Sequence, residues 1–288
     1  MQQITGRTML TGLLGSPVSH SISPAMHNEA FRQLNIDCVY LAFDVNAEEM
    51  PSAVNAFRTL KVRGFNITMP GKNVMAALCD ELSPAARFTG SVNTVVNENG
   101  RLIGHNTDGI GYMRSIKEVG LDIVGKKMTI LGTGATASSI FVQAALDGVS
   151  EISIFGRKGQ SYEHTQQLID ALNQSTMCKL SLYDIADKDV LKREISQSTL
   201  LTNATSVGMA PNTENSIIED ADMFHSSLFV SDVIYNPRET KLLTLAKEAG
   251  CKTFNGLYML LYQGAAAFEL WTGQEMPVDI IKQKYFSE

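Results

Sequence analysis

The sequence predicts an α/β protein of two domains, the second built on a doubly wound parallel sheet. Between residues 109 and 254, short apolar runs alternate with segments of helical spacing. This alternation is typical of parallel strands covered by helices on both faces. The 288 residues suit two domains. The content of 44% hydrophobic and 19% charged residues predicts a large core without extended disorder.

The first third of the chain also predicts alternating strands and helices. Thr8 to Gly15 is short and apolar, as a buried strand requires, and Pro24 suits the first turn of a helix. Asn99 and Gly100 lie between two apolar runs and predict a hairpin turn. The predicted strands are 8–15, 38–45, 65–68, 92–97 and 101–104, and the predicted helices are 25–34, 50–60 and 73–79.

From residue 109 onwards the predicted elements alternate regularly. The predicted strands are 128–131, 151–155, 179–182, 199–202, 228–233 and 253–254, and the predicted helices are 111–119, 137–146, 164–172, 190–194, 240–249 and 256–272. We find no internal repeat and no low-complexity linker. The change of pattern near Asp108 therefore predicts a junction between domains and not a flexible tether.

Composition argues against several classes of protein. The net charge of −6 disfavours a broad surface for nucleic acid. No apolar run reaches the ~18 residues that a membrane helix needs, and the first 14 residues lack the pattern of a signal peptide. The four cysteines are widely spaced and the five histidines are scattered. We therefore expect free thiols in a reducing cytoplasm and no metal site.

A glycine turn marks a candidate nucleotide site. Gly132, Thr133 and Gly134 follow an apolar strand and precede a predicted helix. Glycines let the backbone approach a pyrophosphate, and the helix N-terminus supplies free N–H groups and the positive end of a dipole. A GxG turn alone also fits an ordinary strand-to-helix connection. The regular alternation that follows favours a dinucleotide site.

The end of the next predicted strand bears on the choice of cofactor. An acidic residue at this point would bind the ribose hydroxyls of NAD. The chain has Arg157 and Lys158 instead. These cations suit the 2′-phosphate of NADP, but both also fit solvated surface positions.

Lys72 and Asp108 are candidates for acid–base chemistry. Lys72 follows a Pro-Gly turn between an apolar strand and a helix, where partial desolvation would lower the pKa of a lysine. A carboxylate such as Asp108 would fix the position of that lysine. Lys72 also fits a solvated surface position, and Asp108 also fits a turn or a helix cap. Ser21 and Ser23 similarly suit either a helix cap or the binding of a carboxylate.

Eight segments, in order along nearly the whole chain, resemble the shikimate dehydrogenase family. They are Ser-His-Ser-Ile-Ser-Pro at 19–24, Asn-Ile-Thr-Met-Pro-Gly-Lys at 66–72, Gly-Ser-Val-Asn-Thr at 90–94, Asn-Thr-Asp-Gly at 106–109, Gly-Thr-Gly-Ala at 132–135, Asn-Ala-Thr-Ser-Val-Gly-Met at 203–209, Asp-Val-Ile-Tyr-Asn-Pro at 232–237 and Gly-Leu-Tyr-Met-Leu-Leu-Tyr-Gln-Gly at 256–264. The C-terminal part is most similar to the quinate/shikimate dehydrogenase branch.

The resemblance implies a substrate-binding α/β domain at 1–108, completed by 256–288, and a Rossmann-type nucleotide-binding domain at 109–255. It implies NAD(P)-dependent interconversion of shikimate and 3-dehydroshikimate, in aromatic amino acid biosynthesis, with Lys72 and Asp108 as the catalytic pair. The implied substrate-binding residues are Ser21, Ser23, Tyr40, Thr68, Asn93 and Gln263. The implied cofactor-binding residues are Gly132, Thr133, Gly134, Ala135, Arg157, Lys158, Asn203, Thr205, Tyr235 and Gly256.

The chain departs from the family pattern near the cofactor. Ala135 replaces the last glycine of the usual Gly-x-Gly-Gly, Gly156 replaces an asparagine, and Gly159 stands where the quinate/shikimate branch can have an aspartate. The choice between NAD and NADP stays open, as do quinate as a second substrate and a homodimeric assembly. A dehydrogenase for another cyclic hydroxy or amino acid and a non-catalytic nucleotide-binding regulator are the alternative functions.

Overall fold

The computed structural model describes residues 4–287, which form two compact α/β units. The first unit ends at Thr107 and resumes at Leu261, and the second unit runs from Asp108 to Leu260. The predicted α/β class and the Rossmann-type second sheet are confirmed. The predicted boundaries followed Asp108 and preceded Gly256, whereas both of these residues belong to the second unit.

The first unit contains a six-stranded mixed sheet. Its strands are β1 Met9–Gly15, β2 Cys38–Asp44, β3 Gly64–Ile67, β4 Glu81–Leu82, β5 Thr94–Glu98 and β6 Arg101–His105, in the order β2-β1-β3-β5-β6-β4. Its first helices are α1 Ser23–Gln33, α2 Met50–Thr59, α3 Lys72–Leu78 and α4 Pro84–Thr89. The predicted hairpin is confirmed, because β5 and β6 pair antiparallel. Strand β4 and helix α4 were not predicted, since each is too short to show a period.

The second unit is a doubly wound parallel sheet. Its elements are α5 Asp108–Glu118, β7 Lys127–Leu131, α6 Ala135–Leu146, β8 Glu151–Gly156, α7 Gln160–Ser175, β9 Lys179–Asp184, α8 Lys188–Ser196, β10 Leu200–Asn203, a 3₁₀ turn Ala221–Met223, β11 Phe229–Asp232, α9 Lys241–Glu248 and β12 Lys252–Phe254. The strand order is β12-β11-β10-β7-β8-β9. The order therefore reverses between β7 and β10, where ligands bind beyond the carboxyl ends of such strands.

The chain ends with helices α10 Leu257–Thr272 and α11 Val278–Tyr285. Trp271 of α10 donates its indole N–H to the carbonyl of Val95 at 3.0 Å, and the guanidinium of Arg63 donates to the carbonyl of Trp271 at 2.8 Å. These bonds attach the C-terminal part of α10 to the first sheet. Within residues 4–287, every helix is too short or too polar to span a bilayer.

Each unit has its own apolar core. In the first unit, Leu14, Phe65 and Ile67 are buried against the helices. In the second unit, Leu201 and Val230 lie in strands that are buried along their whole length or nearly so. Burial on both faces explains why these strands read as continuous apolar runs in the sequence.

Candidate active site

Lys72 follows a tight turn at the end of strand β3. The carbonyl of Thr68 accepts the N–H of Gly71 at 3.0 Å and closes the turn, and Lys72 is the first residue of α3. The carbonyl of Lys72 accepts the N–H of Val92 at 3.0 Å. The backbone of the half-buried lysine is therefore held against the segment that carries Asn93.

A chain of buried hydrogen bonds runs beneath this turn. The Tyr40 hydroxyl donates to Asn66 Oδ1 at 2.8 Å, and Asn66 Nδ2 donates to Thr94 Oγ1 at 2.9 Å. Thr94 Oγ1 lies 3.1 Å from Thr107 Oγ1, and the N–H of Thr107 donates to Asn93 Oδ1 at 2.7 Å. A backbone N–H can only donate, so it fixes which way the amide of Asn93 points.

Tyr40 is buried under the start of α1, where its hydroxyl also contacts the side chain of Ser23. Its side chain is fully buried and its ring stacks on His27 with centroids 4.5 Å apart. Burial raises the pKa of Tyr40 well above its ordinary value, so the phenol stays neutral and acts as a donor. Ser21 and Ser23 are half-buried at the start of α1. These two serines are accessible where Tyr40 is not.

The remaining predicted substrate and catalytic residues have defined positions. Thr68 is half-buried and its N–H donates to the carbonyl of Leu14 at 2.9 Å. Gln263 is half-buried on α10 in the first unit. Asp108 is the first residue of α5, where a carboxylate is favoured by the positive end of the helix dipole.

The second unit contains a cavity of about 520 Å³ at the carboxyl ends of β7, β8 and β10. Its volume is within the usual range for small-molecule sites. The predicted residues among its lining are Gly132, Thr133, Gly134, Arg157 and Thr205. The lining residues that were not predicted are Phe155, Gly156, Ser161, Ile185, Lys188, Ala204, Ser206, Val207 and Ile217.

Close backbone packing explains two glycines of this cavity. Gly132 has a φ of +125°, and a β-carbon there would stand 2.9 Å from the carbonyl oxygen of Ala204. A β-carbon on Gly156 would collide with the methyl group of Thr133. A side chain at residue 156 is therefore incompatible with the position that the Thr133 methyl group occupies.

The cations around the cavity differ from those expected. Arg157 lines it, but Lys158 does not, and the ammonium of Lys158 lies 3.6 Å from the carboxylate of Asp184. Lys188, at the start of α8, is the second cation of the lining. Among the described side chains that line the cavity there is no carboxylate.

Besides Lys158, four predicted cofactor residues lie outside the cavity lining. Ala135 is the exposed first residue of α6, so its methyl group does not fill the turn. Asn203 is buried behind Thr205, and its Oδ1 accepts the Thr205 hydroxyl at 2.7 Å. Tyr235 is half exposed in the loop after β11. Gly256 is buried, and its N–H donates to the carbonyl of Ile234 at 3.1 Å.

Comparison with known proteins identifies the family. Residues 13–95 match the shikimate dehydrogenase substrate binding domain, and residues 256–284 match the shikimate 5′-dehydrogenase C-terminal domain. A shikimate dehydrogenase (NADP(+)) of Listeria monocytogenes serotype 4b is 52% identical over 285 residues, which are 99% of this chain and 98% of the relative. The chain belongs to the shikimate dehydrogenase family.

Solved structures of this family have the same fold. The crystal structure of shikimate 5-dehydrogenase from Listeria monocytogenes, in complex with shikimate and NAD, matches with a TM-score of 0.95 and 52% identity over 98% of both chains. A ligand-free 5-ketofructose reductase of Gluconobacter matches with a TM-score of 0.85 and 30% identity, over 97% of this chain and 98% of the reductase. Proteins named for different substrates thus share this architecture.

Sequence reasoning missed several residues that build these sites. Asn66, Thr107 and Asp232 are buried polar residues within segments that resemble the family. Their polarity inside apolar or turn-forming segments was a signal that could have identified them. Lys188 lies in a surface segment with other charges, and nothing in the sequence distinguishes it from its neighbours.

Proposed function

We propose that this protein is an NAD(P)-dependent oxidoreductase that interconverts shikimate and 3-dehydroshikimate. The observation that carries the proposal is the cavity on the Gly132–Gly134 turn, in a chain that retains Lys72 and Asp108. The relative named shikimate dehydrogenase (NADP(+)) and the structure with shikimate and NAD support the same reaction.

The chain's own groups supply binding and proton transfer. We propose that Ser21 and Ser23 bind the substrate carboxylate and that Thr68, Asn93 and Gln263 hold ring hydroxyls. The fixed amide of Asn93 suits this role because an aligned polar group avoids the ~1–3 kcal/mol cost of an unmatched buried partner. Tyr40 would support the carboxylate site, since its hydroxyl contacts Ser23 and donates to Asn66.

Proton transfer is assigned to Lys72. In the oxidative direction, the neutral amine of Lys72 would accept the proton of the reacting hydroxyl, and in the reductive direction its ammonium would return a proton to the carbonyl oxygen. Asp108 would orient the lysine and accept a substrate hydroxyl. The nicotinamide, when bound, supplies the hydride acceptor or donor.

The cavity fits a dinucleotide carrying a 2′-phosphate. Glycine backbone at Gly132 and Gly134 would approach the pyrophosphate. Arg157 and Lys188 bring two positive charges to the lining, and no described lining residue brings a carboxylate to bind the ribose hydroxyls. We therefore propose that NADP is bound more tightly than NAD.

Location and assembly remain part of the proposal. The four cysteines are free thiols, and burial raises the pKa of Cys38 to about 11 and that of Cys79 to about 12. Free, protonated thiols suit a cytoplasmic enzyme. A homodimer is tested by sedimentation equilibrium, in which a single species of 31.4 kDa would exclude it at the concentrations used.

The proposal is tested by initial rates with shikimate, quinate or 5-ketofructose, each with NAD or NADP. We expect shikimate with NADP to be the fastest combination. Turnover of quinate at a similar rate would widen the substrate range to the quinate/shikimate branch. Absence of turnover in all combinations would contradict the proposed function and favour a nucleotide-binding regulator.

The role of Lys72 is tested by Lys72→Ala. Loss of a general acid–base group lowers kcat by about 10²–10⁴-fold, while the unfolding midpoint should change little because Lys72 is only half-buried. Lys61→Ala, at an exposed lysine of the same unit, is the matched control. A kcat of Lys72→Ala close to that of Lys61→Ala would contradict the assignment.

A further inference from the structure

Asp232 is a buried carboxylate without a described cationic partner. It is the last residue of β11 and is 1% exposed. Its donors are Asn203 Nδ2 at 3.1 Å, the N–H of Ile234 at 3.0 Å and the Thr240 hydroxyl at 2.8 Å. All three donors are neutral. Because burying an unpaired charge is costly, a carboxylate at this position needs an explanation beyond packing.

Asp232 faces Asn203 across the sheet. The two residues are register partners at the carboxyl ends of β10 and β11, and Asn203 is also the register partner of Leu131 at the end of β7. Asn203 Nδ2 lies 3.1 Å from each carboxylate oxygen of Asp232. The same NH₂ group also donates to the carbonyl of Val207 at 3.2 Å. A carboxylate and a carbonyl oxygen both accept here, so together they hold the NH₂ group of Asn203 and turn Oδ1 away.

The outward oxygen of Asn203 holds Thr205. Oδ1 accepts the Thr205 N–H at 3.1 Å and the Thr205 hydroxyl at 2.7 Å. The Thr205 hydroxyl in turn accepts the N–H of Val207 at 3.1 Å. A flipped amide would point NH₂ at the Thr205 N–H, so Asp232 supports the same orientation that the Thr205 N–H and the Val207 carbonyl require.

The loop held in this way is one wall of the nucleotide cavity. Thr205, Ser206 and Val207 line the cavity. The methyl group of Thr205 lies 3.0 Å from where a β-carbon on Gly132 would stand. The side chain of Thr205 therefore packs close to the glycine turn.

We infer that Asp232 is a positioning residue for the nucleotide cavity, acting through Asn203 on Thr205 and the glycine turn. The inference rests on the proposed function, because the occupant of the cavity is the NAD(P) cofactor of that reaction. Burial raises the pKa of Asp232, so its neutral hydrogen bonds offset only part of the cost of burying the charge. Asp232 itself touches neither the substrate nor the reacting atoms.

The test exchanges the two partners in the full-length chain. Asp232→Asn replaces one of the two oxygens that face Asn203 Nδ2 with a second NH₂ group, and Asn203→Asp sets two carboxylates against each other. The double exchange Asn203→Asp with Asp232→Asn restores one donor facing one acceptor, and the new carboxylate can still accept from Thr205, but it no longer donates to the carbonyl of Val207. We expect the Kd of NADPH, measured by titration calorimetry, to rise about tenfold in each single variant and to be lower in the double variant than in Asn203→Asp.

Glu194→Gln is the matched control. Glu194 is a buried carboxylate of the same unit, 4% exposed, and lies outside the cavity lining. We expect a lower unfolding midpoint with an unchanged Kd of NADPH. A purely structural role would make Asp232→Asn behave like Glu194→Gln, and an unchanged Kd in Asp232→Asn would overturn the inference.

Two further measurements complete the test. Thr205→Val removes the hydroxyl at the end of the chain of bonds and should also weaken NADPH binding about tenfold, so the inference can be tested if Asp232→Asn does not fold. An unchanged Kd in Thr205→Val would overturn the inference. A wild-type chain that binds neither NADPH nor NADH would instead contradict the proposed function.

Discussion

The second unit carries two buried carboxylates near opposite ends of one sheet, in opposite electrostatic settings. Asp232 at the carboxyl end has only neutral donors, and burial raises its pKa. Glu194 contacts Lys127, the first residue of β7, at 2.6 Å. Burial by itself would raise the pKa of Glu194, but hydrogen bonds from Lys127 and its neighbours outweigh it and lower the pKa to about 2.

The two carboxylates therefore have different roles: Glu194 contributes to stability, and Asp232 to the shape of a binding site. The ion pair between Lys127 and Glu194 at the amino end of the sheet joins α8 to β7, and neither residue lines the nucleotide cavity. Neutral hydrogen bonds at the carboxyl end hold loops whose positions define a ligand site, as expected for parallel α/β sheets. An unpaired carboxylate is less stabilising than a paired one, and it occurs here where a loop must be oriented.

The largest change in the free energy of unfolding is expected at the amino end of the second sheet. Glu194→Ala removes a buried partner of Lys127, whose side chain is 11% exposed. Breaking a buried pair costs about 3–5 kcal/mol. We expect the lower value, because Glu151 still lies 2.7 Å from Lys127. Urea unfolding measures this loss.

The matched control for this prediction is an exposed ion pair. Glu239→Ala breaks the contact with Lys247, in which both side chains are about half exposed, and such pairs contribute about 0–1 kcal/mol. If Glu194→Ala destabilised the protein no more than Glu239→Ala, the amino end would lose its assigned role.

A smaller effect, on the KM for NADP, is expected for the cations at the carboxyl end of the second sheet. Lys188→Ala and Arg157→Ala should each raise KM for NADP about tenfold and change KM for NAD much less, because each removes a charge that would face a 2′-phosphate. Lys158→Ala serves as the control, since Lys158 is beside Asp184 and outside the cavity lining. Equal effects of Lys158→Ala and Lys188→Ala would show that the lining does not discriminate between the cofactors.

The smallest effect concerns the pH dependence of stability. The pKa of Glu194 is lowered from 4.5 to about 2 in the folded state, so its contribution is present above pH 4.5 and is lost as the pH falls towards 2. The pKa of Asp232 is raised above 3.8, so it has the opposite sign and disfavours folding as the pH rises through that value.

Unfolding midpoints between pH 2 and 6 test these signs. Glu194→Gln should reduce the acid-induced loss of stability, and Asp232→Asn should increase it. Glu29, in the first unit, keeps a pKa of about 2 in both variants because of hydrogen bonds led by that from Lys284. Parallel pH profiles for the wild type and both variants would contradict the contrast between the two carboxylates.

Much of the fold follows from local pattern. The alternation of apolar runs predicted the parallel second sheet, since buried strands and amphipathic helices have distinct periods. The Asn99–Gly100 turn predicted the β5–β6 hairpin, because turn chemistry also depends only on neighbouring residues. Helix α4 spans six residues, which is too short to show a period, and it was missed.

The sites were predicted less completely. The glycine turn was identifiable because its chemistry is local and continuous in sequence. The sequence could not show that Lys188 lines the cavity and Lys158 does not, because the direction of a long side chain depends on what packs around it. Tyr40 stays a predicted substrate residue, and the full burial of its side chain can be recognised only once the core is assembled.

The sequence by itself therefore determined the α/β class, the two-part organisation, the family and the glycine turn, all of which depend on short-range order along the chain. Only the tertiary structure decided which groups face one another. Asn203 and Asp232 are 29 residues apart and meet because parallel strands place their carboxyl ends side by side. Thr133 likewise packs over Gly156, where a β-carbon would collide with it. Partners of this kind are set by the packing of distant segments.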